Sequence, residues 1–575
     1  MAKSNTHMSA TLLLVFLSLG LSQSQSLPKV DLGYQIHQAI SYNSEYQYYN
    51  FSNIRYAQAP VGDLRFAAPV APQGRNEAVQ NGSVGAICPQ AQASWVPMAY
   101  QYAAAVLANR SSSFNITQAE EVIAQTPFDE LPVGSPRLGE LPPRDPRERE
   151  DCLFLDVMVP RSVFERAANK SANGAPVLIW IFGGGYVTGS KYDFDPRGML
   201  EAATKDDGEG LIYVAMNYRV GAFGWLGGPT LEAAGGTPNA GFFDQRLAMQ
   251  WVQDHIHLFG GDPNRVTIQG ESAGGKCCSV VNHLLAFGGE KKPPFQRAIA
   301  NSAGIIQSYS NQVVENVTQS FLSLLNVTTI EAARHAPSRD IIMANARQEL
   351  ASAYGLFLYN PVPDGVFMRQ LPSLALLSGH FAKNISVFYS YTQNEGLLFV
   401  PPSLQKEEDV TPWLRTVYPT IVDAVATHIQ TVLYPPVYDG SQPYLNLPQR
   451  IALIIREMAV SCNADFLRQA YLTRTYTYRF DVGPSLHGSD QAYVSWDGRA
   501  GTNASQSFFA PLARQVQSYF VNFIQTGNPN AQGLPPFPIE GANSSANRLT
   551  ASGFLTQPDP EKNPRCAWWA KALAT

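Results

Sequence analysis

Apolar runs of strand length recur from residue 175 onward, separated by glycine-rich or polar turns and by helical patterns. "APVLIWIF" (175–182) comes first, bounded by "GGG". "GLIYVAMNY" (210–218), "RVTIQ" (265–269), "RAIAN" (297–301), "ISVFYSY" (385–391) and "RTYTYRF" (474–480) continue the series. Between them, "DQRLAMQWVQDHIHLF" brings Leu247, Trp251 and Ile256 near one helical face, and "KCCSVVNHLLA" suits a further helix. Strands that are apolar on both faces and alternate with helices imply a mostly parallel central sheet, covered by helices on both sides. The expected class is α/β, with "RTYTYRF" closing the series. Reactive side chains in such a sheet belong just past the carboxyl ends of the strands.

The chain has 575 residues but no long linker and no internal repeat, so one domain is expected over residues 27–575. Two stretches break the rhythm and read as insertions onto the core, either decoration or a moving lid. Residues 89–151 are rich in Ala, Pro, Gln and Ser, and residues 401–460 carry helical patterns such as "TIVDAVATHIQTVL". Net charge is −5 and only 15% of residues are charged, so no basic field recommends a nucleic acid partner.

The first residues carry a different message. The twelve-residue apolar run "ATLLLVFLSLGL" (10–21) is followed by the small polar stretch "SQSQS". That run is too short to span a bilayer and fits a secretory signal peptide over residues 1–26, cleaved near Ser24 or Ser26. No later run reaches membrane-spanning length, and a soluble, secreted, extracellular protein is expected. Sequons for N-glycosylation occur at Asn50, Asn81, Asn109, Asn115, Asn169, Asn316, Asn326, Asn384, Asn503 and Asn543. Six cysteines, an even count, suit an oxidising compartment.

Chemistry is concentrated in "RVTIQGESAGGKCC" (265–278), where Gly270-Glu271-Ser272-Ala273-Gly274 follows a strand and precedes a helical run. A serine held on such a strand–turn–helix elbow is a candidate nucleophile. The turn leaves little room for side chains, which accounts for the glycines on either side. Serine needs a base, a histidine oriented by a carboxylate, in the chain order Ser, Asp/Glu, His. Five histidines follow Ser272. His283 lies in the helix after the serine and His428 in another helical pattern, whereas His487 sits in the loop "DVGPSLHGSD" just past a strand. Glu395, in the turn after "ISVFYSYTQ", is the favoured carboxylate, with Asp364 and Asp490 as alternatives. Gly183, Gly184 and Gly185 end the first central strand, and with the N–H of Ala273 they offer up to three donors for a developing oxyanion. The same glycines lack the Lys-Ser/Thr of a phosphate loop and the spacing of a dinucleotide fingerprint.

At these residues the sequence resembles the type-B carboxylesterase/lipase family of α/β-hydrolases, which includes the cholinesterases and certain fungal lipases. The resemblance is carried by "NIRYAQAPVGDLRFAAP", "EDCLFLDVMVP", "IFGGGY" and "MNYRVGAFGWLG". The long block "NAGFFDQRLAMQWVQDHIHLFGGDPNRVTIQGESAGG", then "NEG" and "HGSD", complete it. It implies the α/β-hydrolase fold, a triad of Ser272, Glu395 and His487, and an oxyanion hole of Gly184, Gly185 and Ala273. It also implies a supporting role behind the acid for Ser302, and disulfides Cys88–Cys152 and Cys462–Cys566, which leave Cys277 and Cys278 as free thiols. Phe182 departs from the family, where many members have His or Tyr before the glycines. The implied activity is hydrolysis of carboxylic esters through an acyl-enzyme, with neither metal nor cofactor. The partner is a small-molecule or lipid ester. The choice among esterase, lipase or sterol esterase, and tailoring esterase of a secondary metabolite stays open, as does the oligomeric state.

Overall fold

Eleven strands form one sheet in the computed structural model, which describes residues 26–131, 135–137, 140–167, 173–205, 208–275, 279–302, 304, 310–499, 509–540 and 545–571. Residues 1–25 of the expected signal peptide, together with Asn169, Asn503, Asn543, Cys277 and Cys278, lie outside the described residues. In chain order the strands are β1 (Ser41–Asn43), β2 (Tyr48–Arg55), β3 (Phe154–Pro160), β4 (Ala175–Ile181), β5 (Ile212–Met216) and β6 (Gly261–Glu271). They continue as β7 (Arg297–Asn301), β8 (Ser386–Thr392), β9 (Thr475–Phe480), β10 (Ser545–Thr550) and β11 (Gly553–Pro558). Across the sheet the order is β11-β10-β9-β8-β7-β6-β4-β5-β3-β2-β1.

Every pairing from β5 through β4 and β6 to β10 is parallel, and the outer pairings on both flanks are antiparallel. The burial pattern explains why the central strands are legible: every residue of β4 and β5 is buried, so each reads as a continuous apolar run. The series does not close at "RTYTYRF" as expected, because β10 and β11 extend the sheet beyond β9. "SANRLT" is only partly buried and "GFLTQP" is an exposed edge, and neither carries an apolar run. A separate three-stranded sheet joins Lys29–Asp31, Gln35–Gln38 and Asn76–Gln80.

The helix Ala240–His255 leads into β6 through a short turn at Ile256–Phe259 and buries Phe242, Ala248, Met249, Trp251 and Val252 on the core. Leu247 is only half-buried, so the buried stripe is turned slightly from the one expected. Both interrupting stretches are helical: Val96–Leu107 and Ile116–Gln125 in the first, Val410–Val417, Asp423–His428 and Leu447–Ile455 in the second. No described helix is long and apolar enough to cross a membrane.

Two disulfides pin these additions to the core, Cys88–Cys152 around the first and Cys462–Cys566 between the end of the second and the C-terminal helix Pro564–Trp569. The latter closes a loop 104 residues long, and a cross-link of that span restricts the unfolded chain by roughly 4–5 kcal/mol. Replacing Cys462 and Cys566 together by serine is expected to cost roughly 2–5 kcal/mol. Thermal unfolding followed by circular dichroism reads this as a lowered Tm, and an unchanged Tm would contradict it.

The interior holds charged pairs and carboxyl groups. Arg219 clasps Asp244 through Nε and Nη2 at 2.8 and 2.7 Å, both fully buried, and Lys191 meets Asp156 at 2.6 Å. Glu349 has no basic partner among the described residues, and burial raises its pKa to about 8. Near β9 and β10, burial likewise raises the carboxyls of Glu540 and Asp559, with Asp559 adding to the rise of Glu540 and Asp465 to that of Asp559.

Candidate active site

Four chain segments deliver their reactive groups to one edge of the sheet, just past the carboxyl ends of β4, β6, β8 and β9. Ser272 follows the last residue of β6 and opens a single tight helical turn, Ser272–Gly274. Its φ is +53°, a left-handed conformation that side-chain-bearing residues rarely adopt. The flanking glycines have a steric cause. A Cβ on Gly270 would lie 2.2 Å from the Gly274 carbonyl oxygen, and one on Gly274 would lie 2.0 Å from that of Ile181 in β4. The elbow is therefore pressed against the neighbouring strand, and only glycine fits on either side of the serine.

His487 reaches this serine from the loop after β9. Its Nε2 lies 2.8 Å from Ser272 Oγ, and its Nδ1 lies 2.5 Å from Oε2 of Glu395, which follows β8. Glu395 is fully buried, and its Oε1 accepts the Thr392 N–H at 2.6 Å. Burial works to raise the Glu395 carboxyl, but the imidazole, the Thr392 amide and the nearby Ser302 hydroxyl bring it below the usual range. Ser302 is buried beside this acid, and its Oγ makes no hydrogen bond of good geometry among the described residues.

The other candidates are engaged elsewhere. Asp490 accepts hydrogen bonds from Ser390 Oγ and Tyr478 OH, both at 2.9 Å. Asp364 caps its own turn, accepting the amides of Val366 and Met368 at 2.9 Å. His283 is buried against Gln245 at 2.9 Å, and His428 stacks on Trp568. Gly184 and Gly185 stand beside the elbow with φ of +94° and +63°. A Cβ on Gly184 would strike the Thr188 carbonyl at 2.4 Å, and one on Gly185 the Phe357 ring at 2.7 Å. Gly184, Gly185 and Ala273 all border the cavities that open at Ser272.

Glu271, the residue before the serine, is a member of the site that sequence reasoning quoted without giving it a role. Its Oε1 lies 3.7 Å from His487 Nε2. An acid directly adjacent to a candidate nucleophile was the available signal. Burial raises the Glu271 carboxyl to about 8, helped by Asp490 and Glu395 and opposed by His487. Burial pulls the His487 imidazole down, but Glu395, Glu271 and Asp490 more than reverse this and raise it to about 9. Removing the Glu271 charge makes the imidazolium less stable. In Glu271→Gln the ascending limb of kcat/KM against pH should move down by about one unit. A limb that stays in place or moves to higher pH would show that Glu271 does not act on the imidazole.

Two cavities open on either side of Ser272 and share Gly185, Phe357, Phe399 and His487. One is a narrow apolar slot of ≈ 80 Å³, walled by Tyr418, Ile455, Met458 and Val460 from the second interrupting stretch and its continuation. The other is a wider mouth of ≈ 410 Å³, bordered by Gln92, Trp95, Tyr100, Trp180, Asp193 and Gln491. The Phe399 ring stands edge-on to His487, with centroids 5.4 Å apart. Asp63, Glu331 and His335 form a further cluster of potential metal ligands, but an exposed one that only folding assembles.

A parallel sheet with antiparallel flanks, a serine elbow after a central strand and acid and base on the loops that follow is the architecture of an α/β-hydrolase. The crystal structure of Aspergillus niger EstA shares this fold, with a TM-score of 0.76 over 95% of this chain and 98% of that one at 24% identity. A PNB esterase superposes with a TM-score of 0.68 over 94% and 100% of the two chains at 22% identity. The carboxylesterase family model matches residues 36–569, and the chain belongs to the carboxylesterase family. It is a carboxylic ester hydrolase. Carboxylesterase patB of Penicillium expansum is 39% identical over 94% of this chain and 95% of its own length. The secreted triacylglycerol lipase LIP1 of Gibberella zeae is 29% identical over 84% and 79%.

Proposed function

We propose that the protein is an exported serine esterase acting through a Ser272–His487–Glu395 triad on esters of short, apolar acids. The observation that carries this reading is the imidazole of His487, bonded through one nitrogen to the Ser272 hydroxyl and through the other to the Glu395 carboxylate. His487 takes the hydroxyl proton as Oγ attacks the ester carbonyl, and the amides of Gly184, Gly185 and Ala273 receive the developing oxyanion. Glu395 holds the imidazole in the tautomer that leaves Nε2 free to accept. Collapse expels the alcohol with the proton from His487. Water, activated by the same nitrogen, then releases the acid.

The two cavities suit the two halves of the substrate. The acyl group stays on the enzyme after the alcohol leaves, which fits the narrow apolar slot. The wider, more polar mouth fits the departing alcohol and the incoming water. Hydrolysis of p-nitrophenyl esters of increasing chain length, with and without an emulsion, tests this reading. Acetate to butyrate should be preferred and the interface should add nothing; preference for long chains with interfacial activation would instead favour a lipase. Met458→Ala widens the slot and should improve kcat/KM for a longer ester relative to butyrate by roughly tenfold.

Export is supported by the apolar leader, by the two disulfides and by the sequons. Asn81, Asn109, Asn115, Asn316, Asn326 and Asn384 are exposed, whereas Asn50 is half-buried. A relative from Arthroderma benhamiae, 30% identical over 66% of this chain, is named a secreted lipase.

A further inference from the structure

Two parts of the wall of the narrow slot beside Ser272 come from different helical pieces. Tyr418 supplies one, and Met458, Ala459 and Val460 supply the other. The latter three belong to Arg456–Ser461, a π-helical turn between the helices Leu447–Ile455 and Cys462–Tyr471. Turns of this kind are rare and often mark functional sites.

What holds this turn lies far along the chain, in segment 561–569. Glu561 is fully buried; its Oε1 accepts from Arg456 Nη2 at 3.2 Å and its Oε2 accepts the Ser461 hydroxyl at 2.8 Å. One carboxyl group thus ties the first residue of the turn to the last. Between them, Glu457 accepts from Arg565 Nε and Nη2 at 2.6 and 2.7 Å. Cys462, directly after the turn, is bonded to Cys566. The same segment backs the other part of the wall. The Trp569 ring stacks on Tyr418 with centroids 6.3 Å apart. Its Nε1–H donates to the Tyr434 hydroxyl at 2.8 Å, which donates in turn to Glu457 at 2.7 Å. Charge-assisted bonds of this kind are directional, and removing one partner leaves the other buried and unmatched. The described lining of the slot includes none of Glu561, Arg565 and Trp569, so they reach an acyl chain only through the residues they hold.

We propose that segment 561–569 fixes the width of the slot, and so the length of acid accepted, with Glu561 as the positioning residue that holds the Met458 wall. The proposal rests on the reading of this slot as the acyl site.

The test compares p-nitrophenyl hexanoate with acetate on the full chain. Glu561→Gln keeps the side chain's size, but one acceptor oxygen cannot serve both Arg456 and Ser461. The hexanoate-to-acetate ratio of kcat/KM should rise roughly tenfold, the discrimination that a methylene provides in a fitted apolar pocket. Ser461→Ala removes a single hydroxyl and should raise the ratio roughly threefold; it decides the matter if Glu561→Gln does not fold. A ratio taken on one preparation is insensitive to lost stability, which lowers both rates together. Met458→Ala combined with Glu561→Gln should gain less than the product of the two single effects, because both act on one wall. An unchanged or lowered ratio in the Glu561 and Ser461 variants, with Met458→Ala still raising it, would overturn the inference and leave the acyl slot standing. Independent, fully multiplying effects would also overturn it. If Met458→Ala left the ratio unchanged, the acyl-slot reading would fall and this inference with it.

Discussion

Replacement of Ser272 by alanine should lower kcat/KM for a short p-nitrophenyl ester by roughly 10⁴–10⁶-fold and leave Tm unchanged. The two halves of that expectation have separate causes. The elbow is shaped by glycine packing against β4 and by the strand behind it, neither of which involves the serine hydroxyl. Alanine at a φ of +53° carries the same backbone strain as serine, so the turn persists. What disappears is the proposed attacking atom. The residual rate is that of water in a site still equipped with amide donors, which on their own retain some acceleration. Steady-state kinetics and thermal unfolding on the same preparation decide the matter, and turnover within tenfold of wild type would remove Ser272 from the mechanism.

Glu395→Gln should cost roughly 10⁴-fold in kcat while preserving the geometry. The Glu395 side chain serves two donors, the Thr392 amide through Oε1 and the imidazole through Oε2. A glutamine has one acceptor oxygen, and the backbone amide has first claim on it. Its NH2 group then faces His487 Nδ1 and forces the imidazole proton onto Nε2, where it blocks proton transfer from the serine. The imidazolium also loses the buried charge that stabilises it. Glu271→Gln is the control, since it too removes a nearby carboxylate but leaves the tautomer alone; its loss should be far smaller. If both variants lost activity equally, Glu395 would be acting only as a charge.

Much of this was legible before folding, for a physical reason. The central strands are buried on both faces and therefore read as unbroken apolar runs. The elbow glycines are required by contacts of about 2 Å that no side chain survives. His487 and Glu395 stand on turns just past strands, and that placement separated them from His283 and from Asp364. Other features left no local trace. The strand β11 is an exposed edge and β10 beside it is only partly buried, and neither carries an apolar run. The slot beside Ser272 is assembled from Gly185, Phe357, Tyr418 and Met458, residues scattered along the chain, so its width exists only in three dimensions. The Glu271 contact with His487 depends on how two loops face each other. The sequence places Glu271 next to the serine without indicating which way its side chain turns.

The buried carboxyls of Glu349, Glu540 and Asp559, joined by Glu271 in the site, make folding a reaction that takes up hydrogen ions. Their folded pKa values are raised, to about 8 for Glu271 and Glu349, while in the unfolded chain they ionise in the ordinary acidic range. Near neutrality the native state therefore keep acids that the denatured chain would release, and alkalinity pulls the equilibrium toward the denatured form. His37 and His283, whose buried rings resist charging, act in the opposite sense only below about pH 6.5. Between those limits, this hydrolase gains cohesion from the acid its own reaction liberates.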